Sequence, residues 1–180
     1  MPRSYETYLP WFILREIPYL GNALLKRLVT QFGSAADILN ADKTTLSRIK
    51  GMTTRAMTGL LNHKQVTDAA RQELDLVFKR RIRVVLLADD DYPVLLKQIP
   101  DPPVLLTYLG TIDNHSPCIS IIGARNATSY GLNTARYFST RLSNQGFQIV
   151  SGLARGIDTS AHQAALDHSK KTVAVMGSGF

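Results

Sequence analysis

Up to about residue 63, apolar positions recur at helical spacing. Trp11, Phe12, Leu14, Ile17 and Leu20 form one cluster, and Leu24, Leu25, Leu28, Val29 and Phe32 follow as a second. Recurrence every three or four residues is the signature of one buried helix face. Gly33 predicts a stop and Ser34 a cap for a short helix over 35–40, with further short helices over 45–50 and 52–61. A longer helix is predicted over 65–80, with Val66, Ala69, Ala70, Leu74, Val77 and Phe78 as its stripe. The period then changes. Residues 84–88 and 104–108 are short apolar runs of the kind that form strands, separated by Asp89-Asp90-Asp91, Tyr92-Pro93 and Pro100-Asp101-Pro102-Pro103. From residue 118 the chain alternates: a strand over 118–122, a polar loop over 123–131, a helix over 132–145 ended by Gly146, and a strand over 147–150. A second loop, 151–158, leads to a helix reaching His168, with Ser160 and Gln163 as its capping box. A strand over 172–176 precedes Gly177-Ser178-Gly179-Phe180. Strands alternating with helices through short loops predict right-handed parallel βαβ units.

Two apolar–turn–apolar elements in the helical part each open a helix: Ile17-Pro18-Tyr19-Leu20-Gly21 and Ile49-Lys50-Gly51-Met52-Thr53. They resemble the helix-hairpin-helix module, whose loop amides and helix N-terminus hold a DNA phosphate. Each lacks one glycine of the module, with Tyr19 in place of the first and Thr53 in place of the second. The loss removes a position free to take positive φ. The expectation is therefore a helical packing domain rather than a direct DNA contact.

Composition narrows the class. The 180 residues are 44% hydrophobic and 19% charged, which excludes a disordered or fibrous chain. One cysteine, Cys118, excludes an internal disulfide framework and a cysteine-based zinc site. No apolar run is long enough to span a bilayer and no signal peptide is legible, so a soluble, cytoplasmic protein is expected. The net charge of +7 is unevenly spread: +5 over 1–64, −2 over 65–117 and +4 over 118–180. Positive ends suit polyanions, and equally suit solubility. Asp89-Asp90-Asp91 has no further ligand at calcium-loop spacing and reads as a solvated turn.

The candidate chemistry lies where the parallel strands end, since ligands of open α/β sheets bind beyond the C-terminal ends of the strands. Three such loops, 123–131, 151–158 and 177–180, are rich in small residues, and Arg125 and Arg155 sit in two of them. Bare amides beside an arginine fork suit phosphate. The recurrence at three successive strand ends favours phosphate binding over glycines that merely turn the chain. No dinucleotide or Walker fingerprint is present. His162 follows Asp158 by four residues, so one helix face can carry both. With no nucleophile evident, the pair reads as a loop brace rather than an acid and base.

At this point a resemblance can be named. The segment 121–131, with Ser151-Gly152-Leu153-Ala154-Arg155-Gly156-Ile157-Asp158 and His162, resembles the DprA/Smf DNA-processing family. Tyr92-Pro93, Leu96, Asp101-Pro102-Pro103-Val104-Leu105 and Gly110 are also similar to it. The resemblance implies an α/β fold in three parts: an all-helical domain over 1–63, similar to SAM and helix-hairpin-helix domains; a connecting helix and N-terminal extension over 64–117; and the first half of an extended Rossmann-like parallel-sheet domain over 118–180. It implies a non-enzymatic binder of single-stranded DNA that protects incoming DNA and helps load a RecA-type recombinase during natural transformation. It further implies a homodimer without cofactor or metal and without membrane attachment. Carried over by position, Gly123, Arg125, Ser151, Gly152, Arg155, Gly156 and Lys171 would contact nucleic acid, Lys171 by place and charge alone. Asp158, His162, Gly177 and Gly179 would shape the pocket. Ala124 stands where the family more often has Ser or Thr. The alternative is a small-nucleotide enzyme or sensor on a related fold, against which stands the missing Pro-Gly-Gly-x-Gly-Thr loop. The family pattern continues into a Phe-Pro-x-Arg-Asn-Arg stretch and a later Ser-Gly-x-x-x-Thr-Ala loop. Neither is among the 180 residues, so a fragment with its sheet cut after the third strand is expected.

Overall fold

The computed structural model describes residues 4–177. The chain divides into two compact units, Met1–Ile112 and Asp113–Phe180. The first is a helical unit with a small hairpin, and the second carries a parallel, Rossmann-like sheet.

In the helical unit, α1 (Tyr5–Glu16), α2 (Asn22–Phe32), α3 (Ala35–Leu39), α4 (Lys43–Ser47) and α5 (Thr54–Leu61) lead through a 3-10 turn, His63–Val66, into α6 (Thr67–Lys79). Phe12, Leu14, Leu25, Leu28, Ile38, Leu46, Leu60 and Leu74 are almost fully buried and make one continuous core. An ion pair between Arg15 and Glu73 joins α1 to α6. Side-chain caps start three of the short helices: Ser34 accepts from Asp37 N, Asp42 from Thr45 N and Thr53 from Ala56 N. These satisfy amides that the first turn leaves without partners. The caps also move the predicted starts, because Asp42 begins α4 two residues before residue 45 and Thr53 begins α5 two residues after residue 52.

The structure corrects one step of the hairpin argument. Tyr19 takes φ +64 and Gly51 takes φ +87, so both turns adopt the left-handed conformation, the first of them with a tyrosine. Thr53 is extended and caps α5, where no positive φ is required.

β1 (Arg83–Leu86), α7 (Val94–Lys97) and β2 (Leu105–Tyr108) complete this unit. β1 and β2 pair antiparallel, from Arg83 opposite Tyr108 to Leu86 opposite Leu105. Leu86, Val104 and Leu105 enter the helical core. The segment expected as an extension of the sheet domain thus packs with the helices up to Ile112, because its apolar residues find their burial there. Asp89 ends β1 by accepting Leu86 N at 2.9 Å, which confirms a turn at the acidic triplet. Tyr92 is buried and donates its hydroxyl to the Pro103 carbonyl at 2.7 Å, and burial pushes its pKa up to about 12.

The sheet unit runs β3 (Cys118–Ser120), α8 (Ser129–Asn144), β4 (Gln148–Ser151), α9 (Ile157–Asp167) and β5 (Thr172–Ala174). The order is β3-β4-β5, all parallel, with β4 in the middle. Its apolar centre is small: Ile149 with Ala161 and Ala165, and Ile119, Ile121 and Leu142 against them. Short side chains let α8 and α9 approach. Ser139 of α8 donates to the Ala161 carbonyl at 2.6 Å, and Ser160 of α9 to the Leu132 carbonyl at 2.9 Å. The expected capping box therefore does not form. α9 begins three residues earlier than Ser160, after Gly156, and Ser160 serves to tie the two helices. α8 also begins earlier than predicted, with Thr128 as its cap accepting Gly131 N.

Candidate nucleic-acid interface

The parallel strands of the sheet unit end on one side, and three loops leave them there: 121–128 after β3, 152–156 after β4 and 175–177 after β5. The first two are locked together by backbone. Ile157 N donates to the Ala124 carbonyl. Gly156 has φ +85, and a Cβ there would stand 2.3 Å from the Ala124 oxygen and 2.7 Å from the Arg125 oxygen. Only glycine satisfies both the dihedral and the space. Gly123 is pressed in the same way from the other loop, since its Cβ would lie 2.6 Å from Cγ1 of Ile157. Neither contact partner of Gly156 is a flexible side chain, so the two loops hold a fixed relation.

Asp158 sets the second loop. It is buried, and its Oδ2 accepts from Gly152 N at 3.0 Å and Ala154 N at 3.4 Å. A buried carboxylate holding two amides is a charge-assisted brace. Gly152 leaves room for it, as a Cβ there would stand 2.9 Å from Oδ2. Thr159 adds a bond from its hydroxyl to the Ala154 carbonyl at 2.7 Å. Leu153 takes φ +57 with its side chain exposed.

His162 lies on the next turn of α9. Thr172 donates its hydroxyl to the Ile149 carbonyl at 2.8 Å, so His162 Nδ1, 2.7 Å from Thr172 Oγ1, donates to that hydroxyl oxygen. Nε2 is buried without a hydrogen-bond partner. Burial holds the imidazole below its usual pKa, against the opposing pull of Asp158 and the Ser151 backbone. Neutral His162 thereby pins α9 to the start of β5.

The predicted site residues separate into four groups. Arg125 and Arg155 are exposed on the two locked loops, and neither forms an ion pair among the described residues. Gly123, Gly152 and Gly156 form the loops' backbone frame, with Asp158 and His162 behind it. Gly177 lies in the third loop and is open, and Gly179 lies outside the described residues. Two expected contacts are placed elsewhere. Ser151 is buried, and its hydroxyl donates to the Ile121 carbonyl at 2.6 Å, tying β4 to β3. Lys171 precedes β5, at the opposite end of the strand from the loops, and its Nζ lies 3.4 Å from Asp113. Asp113 precedes β3 in turn. Amides of His115 and Ser116, the Ser116 hydroxyl and Lys171 hold its carboxyl well below the usual range. Three-residue strands separate the two ends by about 10 Å, so Lys171 does not join Arg125 and Arg155.

Sequence reasoning missed two neighbours of the loops. Tyr130, on the first turn of α8, is largely exposed, and Ile122 is exposed beside Gly123. With Ile119, Phe138 and Leu142, Tyr130 borders an apolar groove of about 520 Å³ beside β3. The helical numbering of α8 gave the signal, since Tyr130 falls off the stripe of Ala135 and Leu142. Among the described residues no group of three or more metal-ligating side chains occurs, and no helix is long and apolar enough to cross a membrane.

Comparison with known proteins agrees with this fold. The pattern of the family described as DNA recombination-mediator protein A matches residues 83–180, and that of a SAM-like helix-hairpin-helix tandem matches residues 13–56. The chain is 32% identical to the protein Smf of Synechocystis sp. over 185 residues, covering 100% of this chain and 46% of that protein. It is 44% identical to the DNA processing protein DprA of Streptococcus pneumoniae over 95 residues, 52% of this chain and 33% of that protein. The crystal structure of DprA from Streptococcus pneumoniae superposes with a TM-score of 0.72 at 31% identity, over 99% of this chain and 59% of that one. The chain thus spans less than half the length of these two curated relatives. With the family pattern covering more than half of its residues, and a fold shared with a solved member, the chain belongs to the DNA recombination-mediator protein A family, that of DprA and Smf.

Proposed function

We propose that the chain binds single-stranded DNA by its phosphates on the strand-end loops of the sheet unit. This binding protects incoming DNA in the cytoplasm and passes it to a RecA-type recombinase. The observation that carries the reading is the pair of exposed arginines, Arg125 and Arg155, on loops that Gly123, Gly156 and Asp158 hold rigid. Rigid amides beside guanidinium groups match a chain of phosphates without selecting a base. Names of the relatives, DNA processing protein and recombination mediator, support the same ligand. Asp158 and His162 are engaged in structural hydrogen bonds, which supports a role for them in shaping the site. Assembly as a homodimer belongs to the same proposal.

Fluorescence anisotropy with labelled oligo(dT) tests it. Affinity should fall with salt, with log K changing by about 0.7 per phosphate neutralised for each tenfold in salt. Arg125→Ala and Arg155→Ala should each weaken binding and flatten that slope. Binding that ignores both substitutions, or stabilisation by mononucleotides but not by oligonucleotides, sinks the reading, the latter in favour of a nucleotide sensor.

A further inference from the structure

The helical unit holds one residue that its packing does not explain. Tyr19 stands between buried Ile17 and Leu20, in the turn that opens α2. Its backbone is left-handed, at φ +64, a region that disfavours a tyrosine and suits glycine or asparagine. Its side chain is 67% exposed, so no apolar burial offsets that strain. Backbone strain at a solvent-facing aromatic points to a role for the exposed ring. Arg55, on α5, lies over the ring with its guanidinium carbon 5.2 Å from the centroid. Gly59 lets α5 come up beneath this turn, since a Cβ there would stand 2.7 Å from Ile17 Cγ2.

Basic side chains stand on the elements of both hairpins, while Glu16, the last residue of α1, is paired with Arg15. Arg27 of α2 donates from Nη1 to the Lys50 carbonyl at 2.9 Å, which draws the second hairpin against α2. Gly51 leaves space for that guanidinium, as a Cβ there would stand 2.6 Å from Nη1. Four residues further on is Arg55. Arg27, Lys50 and Arg55 form no ion pair among the described residues. The acidic groups of the adjoining short helices are engaged locally, Asp37 with the Ser34 hydroxyl and Asp42 with the Thr45 amide and hydroxyl.

We infer that Tyr19 is a stacking platform for one unpaired nucleobase, with Arg27, Lys50 and Arg55 taking the flanking phosphates. The helical unit thereby makes its own contact with single-stranded nucleic acid. An exposed ring needs an exposed base face, which a duplex hides, and the cations need an anionic backbone. Every base offers such a face, so the platform does not choose sequence. This inference shares its ligand class with the proposed strand-end loops, but rests on none of their residues.

Tyr19→Asn in the 180-residue chain keeps a side chain that tolerates the left-handed turn and removes the ring. Oligo(dT) affinity should fall about tenfold, with the melting temperature unchanged or raised. Affinity for inorganic polyphosphate, which has the charge and no bases, should stay the same. Tyr19→Trp adds an exposed indole to a chain whose single tryptophan, Trp11, is buried. Oligo(dT) and oligo(U) should both quench it, and the quench should persist in an Arg125→Ala background. An Arg125→Ala protein that keeps the quench while parent and variant bind alike overturns the loop reading and not this one. Unchanged oligo(dT) affinity in Tyr19→Asn, an unquenched Tyr19→Trp, or an equal loss for polyphosphate overturns the inference. A change in self-association in place of oligonucleotide affinity also overturns it, in favour of a protein contact.

Discussion

In the helical unit the centre is filled by Phe12, Leu14, Leu28, Ile38 and Leu74, and the buried polar side chains lie elsewhere. In the sheet unit Ile149 shares the interior with two alanines, while Ser139, Ser143, Ser151, Asp158 and His162 are buried around them. Apolar burial is non-directional and grows with area. Hydrogen bonds are directional, and a buried group that loses its partner costs free energy. The first unit is therefore held by volume and the second by geometry. The loops of the proposed phosphate site stand on the second kind of support.

The comparison can be broken first in the helical unit. Phe12→Ala should destabilise it by about 3–5 kcal/mol, read as a shift of the urea transition followed by Trp11 fluorescence. A shift well under 1 kcal/mol would show that the core is not what holds this unit. Gly156→Ala is the counterpart in the sheet unit. It adds no polar group and removes no volume, yet forces a Cβ into two carbonyl oxygens at a positive φ. A loss of about 3 kcal/mol is expected, seen by hydrogen exchange in β4 and α9, with the Trp11 transition unmoved. Equal protection in variant and parent would contradict the clasp between the loops.

Asp158→Ala sharpens the contrast further. It leaves the amides of Gly152 and Ala154 without their acceptor, for an expected cost of about 1–3 kcal/mol confined to the sheet unit. The smallest effect is on pH. The folded-state pKa of His162 lies below its ordinary 6.5, so the unfolded chain takes up the proton first as pH falls. Stability of the sheet unit should be full above about 6.5, decline below it, and level off once the folded imidazole protonates as well. His162→Gln should flatten that decline. A parent profile with no fall between pH 7 and pH 5.5 speaks against a buried neutral ring.

Much of this was legible because the signals were local. Helical spacing found α1, α2 and α6, and alternation of strands with helices found the parallel sheet with its loops at one side. Short range also set the errors. Ser160 and Gln163 look like a capping box in sequence, but Gly156 can start α9 only because Ala124 and Ile157 meet across loops thirty residues apart. Ser151 reads as a loop hydroxyl, and the neighbouring strand turns it inward to Ile121. Lys171 has the charge of a phosphate contact, but strand direction puts it at the wrong end, opposite Asp113. Tyr19 is the reverse case. Its substitution for glycine suggested a lost conformation, and the backbone adopts that conformation regardless.

The Gly156 clasp has a kinetic meaning as well. Two loops that touch through carbonyl oxygens and a glycine cannot close around a ligand one at a time. A polyanion arriving at them meets a surface already formed, with no folding or lid step after encounter. Association should then follow a single exponential, with an on-rate set by diffusion and by the charge of Arg125 and Arg155, fastest at low ionic strength.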